Sequence, residues 1–208
     1  MHLLTVTKTF PGVSVRAAFD AGERDFGENY VQEALGKIVE LADLRREVRW
    51  HLIGPLQSNK AREVATHFDW VHSVDRMKLA QRLSDLRPPE LPPLQVCLQV
   101  NISGEDSKSG VAPEAALTLA RAVAALPRLK LRGLMAIPEP AGDLAAQREP
   151  HRALRKLLDA MNAEGLGLDT LSIGMSADLE AAIAEGATWV RIGSAIFGSR
   201  PAKPEAAS

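Results

Sequence analysis

The chain has 208 residues and 46% hydrophobic content, which suits one globular domain with a sizeable core. Its 25 basic and 26 acidic residues give a net charge of -1, so it has no basic excess with which to neutralise a phosphate backbone, and nucleic acid is not an expected partner. No apolar run reaches the roughly 20 residues that span a bilayer, and the start MHLLTVTKTF lacks the layout of a secretory signal. With Cys97 the one cysteine, no intrachain disulfide is possible, and a reducing, cytoplasmic setting is expected. The histidines His2, His51, His67, His72 and His151 show no ligand spacing, so no metal site is expected.

Short apolar or β-branched runs alternate with helical patterns along the whole chain. Strands are predicted over 3–8, 25–27, 49–54, 70–74, 94–101, 131–137, 170–174 and 189–193. Helices are predicted between them over 13–21, 30–41, 59–68, 77–86, 113–126, 149–163 and 177–185. The run RPPELPP over 87–93 reads as a connection, because proline interrupts both kinds of element. Little follows the last strand, and the tail over 201–208 is expected to be disordered. Strict alternation implies parallel strands joined by crossover helices. Eight such units close most naturally into a (β/α)8 TIM-type barrel, a single α/β domain over 1–200, with an open doubly wound sheet as the alternative. In a barrel, chemistry belongs at the carboxyl ends of the strands.

Three segments carry polar groups to those ends. Alternation in LTVTK puts Leu4, Val6 and Lys8 on one face, with the Lys8 amine at the rim. Partial desolvation there disfavours the ammonium form and frees the amine to attack an aldehyde; the plainer reading is a strand-end lysine reaching water. In LSIGMSADLE, Ser172, Gly174 and Ser176 share a parity, and Ser176 is expected to cap a helix whose start suits a phosphate. In WVRIGSAIFG, Arg191 and Gly193 face the interior or mouth, and Gly193-Ser194 allows close approach of backbone to a ligand. Phosphate sites in such barrels use the loops after strands seven and eight, the two places these segments fill. Asn29 and Tyr30 after strand two, His51 in strand three, Asn101 ending strand five and Met135 in strand six are weaker candidates. The loop SGEDSKSG has the glycines of a lid.

Together, TVTKTFP, FGENYVQEALGKI, WHLIGPLQSNK, VNISGEDSKSGV, LRGLMAIP and LSIGMSADLEAAIAEGATWVRIGSAIFG resemble the pyridoxal phosphate homeostasis proteins, from Leu4 to Gly198. The resemblance implies a barrel like the N-terminal domain of alanine racemases, with pyridoxal 5'-phosphate held as a Schiff base on Lys8. It also implies phosphate contacts from Ser176, Gly193 and Ser194, with Ser172 counted among the cofactor-binding residues. Arg191 would lie near the ring or phosphate, and Asn29, His51 and Met135 would line the pocket. Family members normally carry a further N-terminal helix before the lysine strand. This chain starts almost at that strand, so uncovered apolar surface and some self-association are expected, as a monomer or weak dimer.

The resemblance further implies a non-catalytic role in vitamin B6 homeostasis, buffering the cofactor or delivering it to apo-enzymes. Racemisation needs acid/base groups on both faces of the substrate, and alanine racemases take the second from a tyrosine of a separate C-terminal domain. The one tyrosine here, Tyr30, follows strand two. An arginine beside the pyridine nitrogen would weaken the ring as an electron sink. The alternatives are a pyridoxal-phosphate-dependent racemase or lyase, and a Schiff-base aldolase acting on a phosphosugar.

Overall fold

The strands have three to seven residues, and each of the first seven is followed by a helix that brings the chain back to start the next strand in parallel. The structure is a computed structural model that describes residues 1–104 and 109–198. The proposed tail over 201–208 and the centre of the loop over 103–110 lie outside the described residues.

The strands are β1 (His2–Val6), β2 (Asp25–Glu28), β3 (Arg49–Leu52), β4 (Trp70–Val74), β5 (Leu94–Gln99), β6 (Leu129–Met135), β7 (Thr170–Ser172) and β8 (Trp189–Ile192). All pair in parallel with their sequence neighbours, and β8 closes on β1 through the register His2↔Trp189 to Thr5↔Ile192. The predicted (β/α)8 barrel is therefore the fold, and the open sheet is excluded. The helices are α1 (Gly12–Asp20), α2 (Val31–Glu40), α3 (Ala61–His67), α4 (Met77–Leu86), α5 (Pro113–Ala124), α6 (Leu144–Ala163), α7 (Leu179–Ala184) and α8 (Ser194–Phe197).

Alternation along the strands sorts the side chains into two layers. Phe26, Leu52, Val71, Val96, Leu98, Leu134, Leu171 and Val190 face outward and bury against helix residues such as Ala34, Ala61, Leu79, Ala120 and Leu154. This annulus is the main core. The barrel interior holds two smaller apolar clusters, Leu4, Val6, Ile53 and Trp189, and Trp70, Cys97 and Met135. Between them sit aromatic and polar side chains: the His51 ring stacks on Trp70 at 5.4 Å, with Trp189 at 5.1 Å.

Several boundaries differ from the sequence reading, among them the following. The strand carrying Lys8 ends at Val6, and Lys8 stands in the turn beyond it. Helix α6 begins at Leu144, because the Asp143 side chain caps Ala146 N at 2.9 Å; Pro150 is then absorbed inside the helix rather than opening it. Helix α7 begins at Leu179, with Asp178 at its cap, so Ser176 belongs to the preceding turn and is not the capping residue. A single helical turn, α8, follows β8 at once.

Candidate functional site

The carboxyl ends of β1, β2, β3, β6, β7 and β8 surround a cavity of about 270 Å³. Its walls include Lys8, Phe10, Asn29, Ile53, Ile137, Met175, Ser176, Ala177, Arg191, Gly193 and Ser194. The residues from the first, seventh and eighth βα connections, far apart in sequence, are thus brought into one space.

Lys8 reaches this wall on a turn that is held in place from below. The backbone turns through Thr9, whose φ of 68° is unusual for a β-branched residue and needs support from its surroundings. That support is a buried polar network on β2 and α2. Thr9 N donates to Glu33 Oε1 at 2.6 Å, and Lys37 Nζ donates to Thr7 O at 2.7 Å. The same ammonium bridges Glu28 Oε1 at 2.6 Å and Glu33 Oε1 at 2.7 Å, and the Thr7 hydroxyl also donates to Glu28. Burial pushes the Glu28 carboxyl up from its ordinary value, and the adjoining Lys37 opposes that shift. The sequence holds one trace of this network, the i,i+4 spacing of Glu33 and Lys37.

The opposite wall is made of backbone. Gly174 has a φ of +89°, and a Cβ there would lie 2.5 Å from Ala182 Cβ; only glycine allows the chain to turn so close to α7. At Gly193 a Cβ would stand 3.0 Å from Val6 O, so β8 leaves the barrel hard against β1. The Ser176 and Ser194 hydroxyls face each other at 3.5 Å. Among the described residues, the backbone N–H groups of Ser176, Ala177, Ser194 and Ala195 meet no protein acceptor. Two hydroxyls and several such donors converging on one spot form a nest suited to an anion. The loop over 174–178 is held by Asp178, which accepts from Met175 N at 2.7 Å and from His151 Nε2 at 2.9 Å. Burial raises the Asp178 carboxyl, but the His151 and Met175 hydrogen bonds outweigh it and the group sits below its ordinary range.

Arg191 forms the floor. It is 4% exposed, and burial lowers its pKa to about 10, which leaves it charged at neutral pH. Nη1 donates to Ser172 O at 2.5 Å and Ser172 Oγ at 3.1 Å, and Nη2 donates to Ala136 O at 3.0 Å. Nε meets no acceptor among the described residues, so a donor remains on a side chain that lines the cavity. Asn29 contributes a buried Oδ1 that also has no partner among the described residues. Its place follows from Gly54, where a Cβ would collide with the Asn29 backbone.

Six of the residues singled out in the sequence, Lys8, Asn29, Ser176, Arg191, Gly193 and Ser194, therefore share the cavity wall. His51, Met135 and Ser172 do not: all three are fully or almost fully buried in the barrel interior. The reason is depth. The cavity begins one inward-facing position later on two of their strands, at Ile53 and Ile137, and further along beyond β7, at Met175 and Ser176. Tyr30 is 58% exposed and Asn101 is half-buried, and neither lines the cavity. Phe10, Ile53, Ile137 and Met175 were missed; the parity that selected Lys8 would also have selected Ile53 and Ile137.

The family model described as the alanine racemase N-terminal domain matches residues 3–201. An alanine racemase of Clostridium difficile superposes with a TM-score of 0.76 at 13% identity, over 98% of this chain and 53% of that one, and so shares the barrel. Much nearer is the pyridoxal phosphate homeostasis protein of Pseudomonas aeruginosa, 66% identical over 95% of this chain and 84% of its own length. The protein of the same name from Escherichia coli K12 is 54% identical over 95% and 85%. The structure of PipY from Synechococcus elongatus with PLP bound superposes with a TM-score of 0.87 at 38% identity, covering 95% of this chain and 92% of that one. The chain belongs to the alanine racemase N-terminal domain family, among its pyridoxal phosphate homeostasis proteins.

Proposed function

We propose that the protein binds pyridoxal 5'-phosphate in the cavity at the carboxyl end of its barrel and acts in vitamin B6 homeostasis, holding and releasing the cofactor rather than turning over a substrate. The observation that carries this reading is the placing of Lys8 and the Ser176–Gly193–Ser194 anion nest on the walls of one cavity, in a chain 66% identical to a protein named for pyridoxal phosphate homeostasis. The groups still lacking partners match the ligand. A phosphate takes the convergent N–H groups and hydroxyls, the Asn29 amide and Arg191 Nε offer polar contacts to the ring substituents, and Ile53, Ile137 and Met175 offer apolar surface to its faces.

Bound cofactor supplies an aldehyde. Lys8 would supply the amine that holds that aldehyde, one water leaving, and release would then depend on water or a competing amine. Phosphate anchoring provides the affinity, and the condensation slows escape. Tyr30, the residue with which a racemase reading would have to supply its second acid/base group, stands outside the cavity wall. The charged Arg191 at the cavity floor favours an unprotonated acceptor over a protonated ring nitrogen, which disfavours carbanion chemistry. We assign the protein to the cytoplasm, with apo-enzymes as recipients. No helix among the described residues is long and apolar enough to cross a membrane.

The test is an absorbance spectrum of the purified protein incubated with pyridoxal 5'-phosphate, before and after borohydride, with mapping of the modified peptide. The wild type is expected to gain a visible band and a reduced adduct on Lys8. Lys8→Ala is expected to lose the adduct while retaining some dialysable cofactor through the anion nest. A wild type that stays colourless, or an adduct on another lysine, overturns the reading.

A further inference from the structure

Asp25, His51, His72 and Ser172 enter the barrel interior from β2, β3, β4 and β7, and none of them lines the cavity. In space they are consecutive. Asp25 Oδ1 is 3.0 Å from His51 Nε2, and His51 Nδ1 is 3.0 Å from His72 Nε2. His72 Nδ1 is 2.7 Å from Ser172 Oγ, which is 3.1 Å from Arg191 Nη1. At the other end Arg49 donates through Nε and Nη2 to both oxygens of Asp25, at 2.6 and 2.5 Å.

The donors and acceptors have one self-consistent arrangement when the carboxylate is ionised and both rings are neutral. A carboxylate only accepts, so His51 carries its hydrogen on Nε2. Its Nδ1 is then an acceptor, and His72 must donate from Nε2. His72 Nδ1 accepts in turn, so the Ser172 hydroxyl hydrogen points to it. That leaves a lone pair of Ser172 Oγ for Arg191. Every bond is dictated by the one before it, and all their dipoles run the same way, which strengthens each in a low-dielectric interior. Arg191 needs such support. Among the described residues no carboxylate lies within hydrogen-bond reach of it, Asp178 acting only through space, and its other acceptors are two backbone carbonyls; a buried cation with so little compensation is costly.

We propose that Asp25, His51, His72 and Ser172 are positioning residues for Arg191, a one-way hydrogen-bonded chain through the barrel that fixes the guanidinium at the cavity floor and ties its orientation to a carboxylate at the first residue of β2. The structural half stands without a ligand; its consequence for affinity rests on the cavity being the pyridoxal 5'-phosphate site.

Nitrogen-15 NMR of the ligand-free protein at neutral pH tests the chain itself. Both rings are expected to be neutral with the hydrogen on Nε2. The opposite tautomer at either ring, or a charged ring, overturns the proposal. Asp25→Asn replaces a pure acceptor by an amide that both donates and accepts, so the direction is no longer imposed, and the His72 signal is expected to change although Asp25 does not touch it. Ser172→Ala cuts the chain beside Arg191 and is expected to weaken pyridoxal 5'-phosphate binding about tenfold, the scale of one charge-assisted hydrogen bond. Circular dichroism establishes that each variant is folded; should Asp25→Asn not fold, Ser172→Ala and the wild-type tautomers decide. A folded Ser172→Ala protein that binds like wild type overturns the positioning role. A wild type that binds no pyridoxal 5'-phosphate, with both tautomers as expected, overturns the reading of the cavity instead.

Discussion

At the residue scale the proposed reading divides the work of the site between one amine and a set of hydrogen-bond donors. Lys8 was legible in the sequence because strand alternation carries its parity to the rim, even though the strand itself stops at Val6. The two hydroxyls were legible as members of two loops, but nothing in the sequence says that they meet at 3.5 Å. Replacing both, as Ser176→Ala with Ser194→Ala, removes two donors to a phosphate while leaving Lys8 and the backbone nest in place. Each such bond to a charged group contributes about 1.5–3 kcal/mol, so the dissociation constant for pyridoxal 5'-phosphate should rise more than tenfold in equilibrium dialysis. An unchanged constant would move the phosphate elsewhere in the cavity. Depth was what the sequence hid. His51, Met135 and Ser172 have the right parity and the wrong layer, because how far along each strand the interior ends and the mouth begins depends on how the strands stagger around the barrel.

At the element scale the less visible contribution is that of α2. Its Lys37 and Glu33, with Glu28 at the end of β2, hold the turn that carries Lys8. Glu28 is fully buried and Lys37 is 5% exposed, so removing the cation leaves a carboxylate without its partner in the interior. Lys37→Met is expected to destabilise the fold by about 3–5 kcal/mol in urea denaturation, the usual cost of breaking a buried pair from one side. A loss below about 1 kcal/mol would show that Glu28 takes up a proton at little cost. Seven of the eight strands begin within a residue of their predicted start, since hydrophobic periodicity reports them directly. The start of α6 was decided by Asp143, whose side chain captures Ala146 N, whereas Asp178 stands at the cap of α7 with its carboxylate taken up by Met175 N and His151 rather than by the helix. Serine and aspartate are both good caps, so local preference could not choose between Ser176 and Asp178.

For the whole molecule, the polar chain inside the barrel makes stability depend on pH. Burial holds His51 and His72 below their ordinary pKa of 6.5, with the hydrogen bond to Asp25 opposing the shift at His51. The unfolded chain therefore takes up protons that the folded chain refuses once the pH falls below about 6.5, and stability declines. Asp25 acts at lower pH. Burial raises its carboxyl, but the hydrogen bonds from His51 and Arg49 outweigh that and hold it at about 2, so its contribution is lost as pH falls from about 4 towards 2. Urea midpoints measured between pH 8 and pH 3 should fall in two stages, the first beginning near 6.5. A flat profile from pH 8 to pH 5 would contradict the neutral, buried histidine pair.

Alternation of strand and helix, and the motifs that carry the family resemblance, were determined by the linear order of residues, because periodicity and short motifs are local properties that survive without coordinates. The depth of each side chain, the support beneath the Lys8 turn and the hydrogen-bonded file from Asp25 to Arg191 were decided only when the barrel closed. They join residues as far apart as His72 and Ser172, 100 positions distant, and the stagger of eight strands sets which of those residues become neighbours.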